Sequence, residues 1–112
     1  MVFNILWISP PEWCPSCGSG KNRGVQFKYG ALDQGDYRIG DTLRWGELDE
    51  GEPGRRHVVV LGQGLGCVNC GYNDDEDFRI DIKSDVLVSA EVDDGEMDYL
   101  SQGHYYWLVL ER

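Results

Sequence analysis

The sequence predicts an all-β fold, a small antiparallel sheet domain, on three observations. No segment carries an apolar stripe at the 3.6-residue period over helical length. Short runs of alternating apolar and polar residues recur along the chain. Fifteen glycines, with repeated Asp-Gly and Gly-Asp steps, supply turn signals about every eight to twelve residues.

The elements follow in order. Phe3 to Ile8 is a short apolar run with Phe3, Ile5 and Trp7 on one face. Val25, Phe27 and Tyr29 alternate with Gln26 and Lys28. Tyr37-Arg38-Ile39 and Thr42-Leu43-Arg44-Trp45 flank a Gly40-Asp41 turn. Glu47 to Gly54 reads as a polar loop with Pro53 and two glycines. Arg55 to Leu61 holds the β-branched run Val58-Val59-Val60. Phe78, Ile80 and Ile82 alternate with Arg79, Asp81 and Lys83, and Val86 to Val92 repeats the pattern after a Ser84-Asp85 turn. Tyr105 to Leu110 is apolar on both faces, which predicts a central or covered strand.

At 112 residues the chain is one domain, 1–112. Its organising signal is a pair of matching turns, Cys14-Pro15-Ser16-Cys17-Gly18 and Cys67-Val68-Asn69-Cys70-Gly71, which contain all four cysteines. Two cysteines separated by two residues reach one ion from a single tight turn, whose backbone N–H groups point at the sulfurs. A glycine after the second cysteine takes positive φ without steric cost. Pro15 fixes φ inside the first turn. Cys14, Cys17, Cys67 and Cys70 are therefore the candidate ligands of one metal ion, with zinc the first choice. Iron also accepts four thiolates, and paired disulfides are the third reading. Met1 to Ile8 lacks the positively charged segment of a secretory leader. A reducing, cytoplasmic setting is therefore expected, where C-x-x-C pairs bind metal or do redox work.

These knuckles resemble those of the zinc-ribbon and rubredoxin families, over about ten residues. The resemblance implies a closed four-cysteine site that staples a β fold. Forty-nine residues lie between Cys17 and Cys67, longer than a compact ribbon uses, so residues 19–66 are expected to form a β insertion between the knuckles.

Charge bounds the partners. Twenty Asp and Glu against ten Lys and Arg give a formal charge of −10. Phosphate backbones are bound by Lys and Arg, and Arg55-Arg56-His57 is the only basic cluster, so the composition points away from nucleic acid. A basic partner protein is the complementary choice. The candidate contact residues are Asp74, Asp75, Glu76 and Asp77 in one acidic loop, Asp93, Asp94, Glu96 and Asp98 in another, and Tyr99 and Tyr105 as aromatic anchors. No apolar stretch approaches the roughly 18 residues that would span a membrane.

Catalytic signals are weak. Gly18-Ser19-Gly20-Lys21 has Pro15 and Asn22 where a phosphate-binding loop needs Gly and Ser or Thr, and Gly62-Gln63-Gly64-Leu65-Gly66 puts its third dinucleotide glycine at Cys67. The latter reads as a flexible approach to Cys67. Asn73 to Asp77 lacks the alternating ligands, central glycine and terminal glutamate of a calcium loop, and Asp93-Asp94-Gly95-Glu96 reads as a hairpin turn with solvated carboxylates. His57 and His104 are the only candidate bases near neutral pH, and four cysteines would leave zinc no open position.

The reading is a non-enzymatic, acidic protein-binding module with a structural zinc site. In size and charge it looks like an immunity protein or antitoxin that inhibits a basic toxin. The alternatives are a rubredoxin-like iron electron carrier and a zinc-ribbon subunit of a transcription or translation assembly.

Overall fold

The computed structural model describes residues 3–8, 14–18 and 23–112. The Ser19-Gly20-Lys21-Asn22 stretch, and Met1 and Val2 of the N-terminal run, lie outside the described residues. The domain is all-β, with no helix among the described residues. Its strands are β1 (Asn4–Ile8), β2 (Arg23–Phe27), β3 (Gly30–Ala31), β4 (Asp36–Arg38), β5 (Asp49–Glu50), β6 (His57–Gly64), β7 (Asp77–Lys83), β8 (Val86–Val92) and β9 (Trp107–Glu111).

The main sheet runs β4-β1-β2-β6-β7-β8, with β9 also paired to β6. All pairings are antiparallel except β1 with β4, which is parallel. The sheet curls until its two ends meet. After β4, Gly40 N–H bonds Leu87 O at 2.7 Å and Leu43 N–H bonds Asp85 O at 2.7 Å, while Leu87 N–H returns to Asp41 O at 3.0 Å. Thr42 and Val86 form the bridge between the two ends.

Period-two alternation decides which residues fill the interior. Leu6, Val25, Phe27, Tyr37, Val58, Val60, Phe78, Ile80, Ile82 and Leu87 all point inward and are buried. Arg79, Asp81 and Lys83 take the other face of β7, as the alternation requires. Tyr29 meets Trp45 and Trp107 edge-on, both at 5.5 Å, in the geometry aromatic pairs prefer. A second, smaller cluster lies on the outer face, where the connection between β8 and β9 folds Met97 and Tyr99 over Val59, Leu61 and Leu108.

One expectation holds and several need correction. Phe3, Ile5 and Trp7 share a face, as the alternation requires; it is the outer one, and the inward positions of β1 are Leu6 and the polar Asn4, which is fully buried. Asn4 is tolerated because its amide is saturated. Nδ2 donates to Tyr29 O at 3.1 Å and Ala31 O at 3.0 Å, and Oδ1 accepts from Gly35 N–H at 3.0 Å. Thr42 to Trp45 makes one bridge and no strand, since the Gly40-Asp41 turn spends those residues on closing the curl. The Glu47 to Gly54 loop contains β5, which pairs with β3. Gly62 and Gly64, expected in a flexible approach, belong to β6. They are glycine because a Cβ would sit 2.6 Å from Val25 Cγ1 and 2.4 Å from the Arg23 guanidinium.

The last strand begins at Trp107, two residues later than expected. It is an edge strand with both faces covered: Trp107 and Val109 enter the interior and Leu108 joins the outer cluster. Its open edge is closed by one side chain. Gln102 Nε2 donates to Val109 O at 2.8 Å and Gln102 Oε1 accepts from Val109 N–H at 2.9 Å.

Candidate metal centre

The two knuckles are tight turns of the same kind. Gly18 N–H bonds Cys14 O at 2.9 Å and Gly71 N–H bonds Cys67 O at 2.8 Å. Gly18 and Gly71 take φ of 69° and 83°, the left-handed conformation that favours glycine. The second turn is closed by Cys67 N–H bonding Tyr72 O at 2.7 Å.

The fold brings Cys14, Cys17, Cys67 and Cys70 together, with all four sulfurs within 4.8 Å of one another. Cys14 Sγ lies 3.6 Å from both Cys17 and Cys70, and Cys17 Sγ lies 3.8 Å from Cys67. Four sulfurs about 2.3 Å from a tetrahedral ion are about 3.8 Å apart, so the cluster has the dimensions of a four-thiolate metal site. A disulfide would need a sulfur pair at about 2.05 Å, and the four cysteines are free.

Burial divides the four cysteines. The first cysteine of each knuckle is buried and the second is exposed. Burial pushes the Cys14 thiol up to about 11, against the pull of the Cys17 and Ser16 N–H groups. Burial also raises Cys67, but the N–H groups of Cys70 and Asn69 and the contact with Cys14 outweigh it, and Cys67 is lowered. A cation is what allows four crowded sulfurs to be thiolates together. Asn69 of the second knuckle donates from Nδ2 to Cys17 Sγ of the first at 3.4 Å, a cross-knuckle bond of the sort that orients a ligand.

A contact that sequence reasoning missed supports the cluster. Arg23, which opens β2 after the first knuckle, is buried and grips Asp74, which follows the second. Arg23 Nη1 donates to Asp74 Oδ2 at 3.2 Å and Nη2 donates to Oδ1. The guanidinium lies over Phe78, 5.1 Å from the ring centre, in space left by Gly64. Pairing with Arg23 holds the Asp74 carboxyl below its ordinary value. The sequence carried a faint signal for this pair, a lone arginine and an aspartate each placed shortly after a knuckle.

The acidic candidates occupy one end of the β7–β8 ladder. Asp93 N–H bonds Asp77 O at 2.9 Å, so the two acidic loops adjoin. Asp75, Asp77, Asp94, Glu96 and Asp98 are exposed, while Glu76 and Asp93 are half-buried. Asp74 is committed to Arg23. Tyr105 is exposed at 74 %, but Tyr99, expected as an outward anchor, is corrected to a core residue at 7 %. It packs on Val59 and Leu108, its hydroxyl meets Asp93 Oδ1 at 3.3 Å, and burial, then Asp93, raises its pKa. Alternation alone could not show that the loop folds back over the sheet.

Each histidine has a defined neighbour. His57 Nε2 meets Asp81 Oδ2 at 2.8 Å, and Arg79 Nε donates to the same carboxylate at 2.9 Å. Burial raises Asp81, but these two contacts, Arg79 first, outweigh it and leave the carboxyl lowered. His104 stacks on Trp107 at 3.5 Å. Among the described residues no helix is long and apolar enough to cross a membrane. Comparison with protein-family models, curated proteins and solved structures returns no match.

Proposed function

We propose that this domain is a non-enzymatic, acidic protein-binding module held together by a structural zinc ion on Cys14, Cys17, Cys67 and Cys70. The observation that supports a metal site is the cluster of four sulfurs within 4.8 Å, three of its pairs 3.6–3.8 Å apart, which fits a tetrahedral ion and leaves it no open position for substrate. Protein binding is supported by the juxtaposed acidic loops and a net charge of −10, which favour a basic partner such as a toxin blocked by its immunity protein.

Two measurements test the two halves. Elemental analysis of protein produced in its native host should return one zinc per chain. Red protein containing iron would replace zinc with the electron-carrier reading, which the exposure of Cys17 and Cys70 favours because it brings the site close to solvent. For binding, Asp77→Lys, Asp94→Lys and Glu96→Lys together should slow association with the basic protein captured from the host and flatten its salt dependence. Capture of no basic protein, or an unchanged association rate, sinks the acidic-surface reading.

A further inference from the structure

The sheet forks at β6, and the fork leaves a cavity. β9 pairs with β6 from His57 to Val60, and β2 pairs with the same edge at Gln63 and Gly64. Leu61 and Gly62 lie between; Leu61 N–H still bonds Tyr106 O at 2.7 Å, and beyond that bond neither ladder continues. The gap is a cavity of about 230 Å³. Phe3, Leu61 and Tyr106 supply its apolar walls. Gln26 and Gln63 are register partners, and Gln26 Nε2 donates to Gln63 Oε1 at 2.7 Å, which leaves the Gln63 amide N–H groups available to a ligand.

The lining carries one cation and one carboxylate, Lys28 and Asp77, in a chain of net charge −10. Lys28 has no carboxylate within 4 Å among the described residues. Its Nζ lies 5.8 Å from the centre of the Tyr106 ring. Five of the seven arginines, by contrast, pair with acids. A cation held against an aromatic wall and left without a carboxylate suits an anionic group on a flat apolar body. Asp77, at the other side, disfavours a second acid and accepts an N–H.

We propose that this cavity is a binding site for a small aromatic monocarboxylate. The ring lies against Tyr106, Leu61 and Phe3, the carboxylate accepts from Lys28 and the Gln63 amide N–H, and a ring N–H donates to Asp77. The volume takes a fused ring with a short acid chain and is below the usual range for larger ligands, so a peptide segment is not the occupant.

Indole-3-acetate is the probe, followed by amide chemical shifts of the zinc-loaded protein. It should saturate with a dissociation constant on the order of 1 mM, the affinity its atom count allows. Shifts should centre on Lys28, Leu61 to Gln63 and Asp77. Lys28→Ala should weaken binding at least about tenfold while leaving the spectrum dispersed, and Lys28→Arg should retain it. Tryptamine, which replaces the acid with an amine, should not bind. The proposal is overturned by no saturation at about 10 mM, by Lys28→Ala binding as well as the wild type, by tryptamine matching the acid, or by tighter binding of a peptide ending in tryptophan.

Discussion

Arg23 holds Asp74 through two parallel hydrogen bonds, and the pair joins the strand leaving one cysteine turn to the loop leaving the other. The sulfurs are therefore brought near each other by a contact that does not itself involve a metal. Breaking it should expose how much of the site is preset. Asp74→Ala leaves a guanidinium buried without its anion and should cost about 2 kcal/mol in urea unfolding. That is less than for a fully buried pair, since Asp74 keeps 30 % exposure. Arg23→Met should cost less, because it removes the stranded charge and keeps apolar contact with Phe78.

The same pair sets a pH dependence. The Asp74 carboxyl is lowered in the folded state, chiefly by Arg23. Its contribution is full above the unfolded value of about 4 and is lost as pH falls through that value towards the folded one. Between about pH 5 and pH 3 the wild type should lose stability faster than Asp74→Ala, and the two curves should converge at the acid end. Parallel curves across that range would remove the pair from the acid response.

Chelation and cysteine replacement address the four-sulfur cluster. Excess chelator, or Cys14→Ser or Cys67→Ser, should lower the melting temperature by more than about 10 °C, because ion binding is coupled to folding. Cys17→Ser should be milder, since its sulfur is exposed and a hydroxyl there stays hydrated. A melting curve indifferent to chelator would show that the cluster does not staple the fold.

Asn4 offers a test of the interior that owes nothing to metal. Asn4→Ala strips partners from Tyr29 O, Ala31 O and Gly35 N–H together. The cost should be about 3 kcal/mol by chemical denaturation. Asn4→Leu should be no better, although it restores volume, because the three backbone groups stay unsatisfied.

Two glycines separate crowding from backbone strain. A Cβ at Gly51 would lie 2.1 Å from the Tyr29 ring, whereas one at Gly40 meets nothing within 4 Å, and both have φ near 100°. Gly40→Ala should cost about 1 kcal/mol from strain alone, and Gly51→Ala about 2 kcal/mol more from displacement of Tyr29. Equal losses in thermal melts would show that Tyr29 moves aside freely.

The sequence made the fold class and the four-sulfur set legible because both are local. Alternation in Phe78 to Lys83 states which side chains face inward, and C-x-x-C-G states a turn. What it hid was long-range. Asn4 looks like an interruption of an apolar run until three backbone groups from distant segments converge on it. Tyr99 looks like an exposed loop residue until the loop is seen lying on Val59 and Leu108. Lys28 reads as an ordinary outward lysine, and only the shared edge of β6 makes it the rim of a cavity.

Gln102 gives its carboxamide to both backbone groups of Val109 and so stands in for a neighbouring strand. An uncovered outermost strand is a template on which other chains can stack into fibrils. One amide cannot extend that ladder, so β9 ends in a stopper. An apolar strand at the rim of the sheet thereby offers other chains no free pair of backbone groups at Val109.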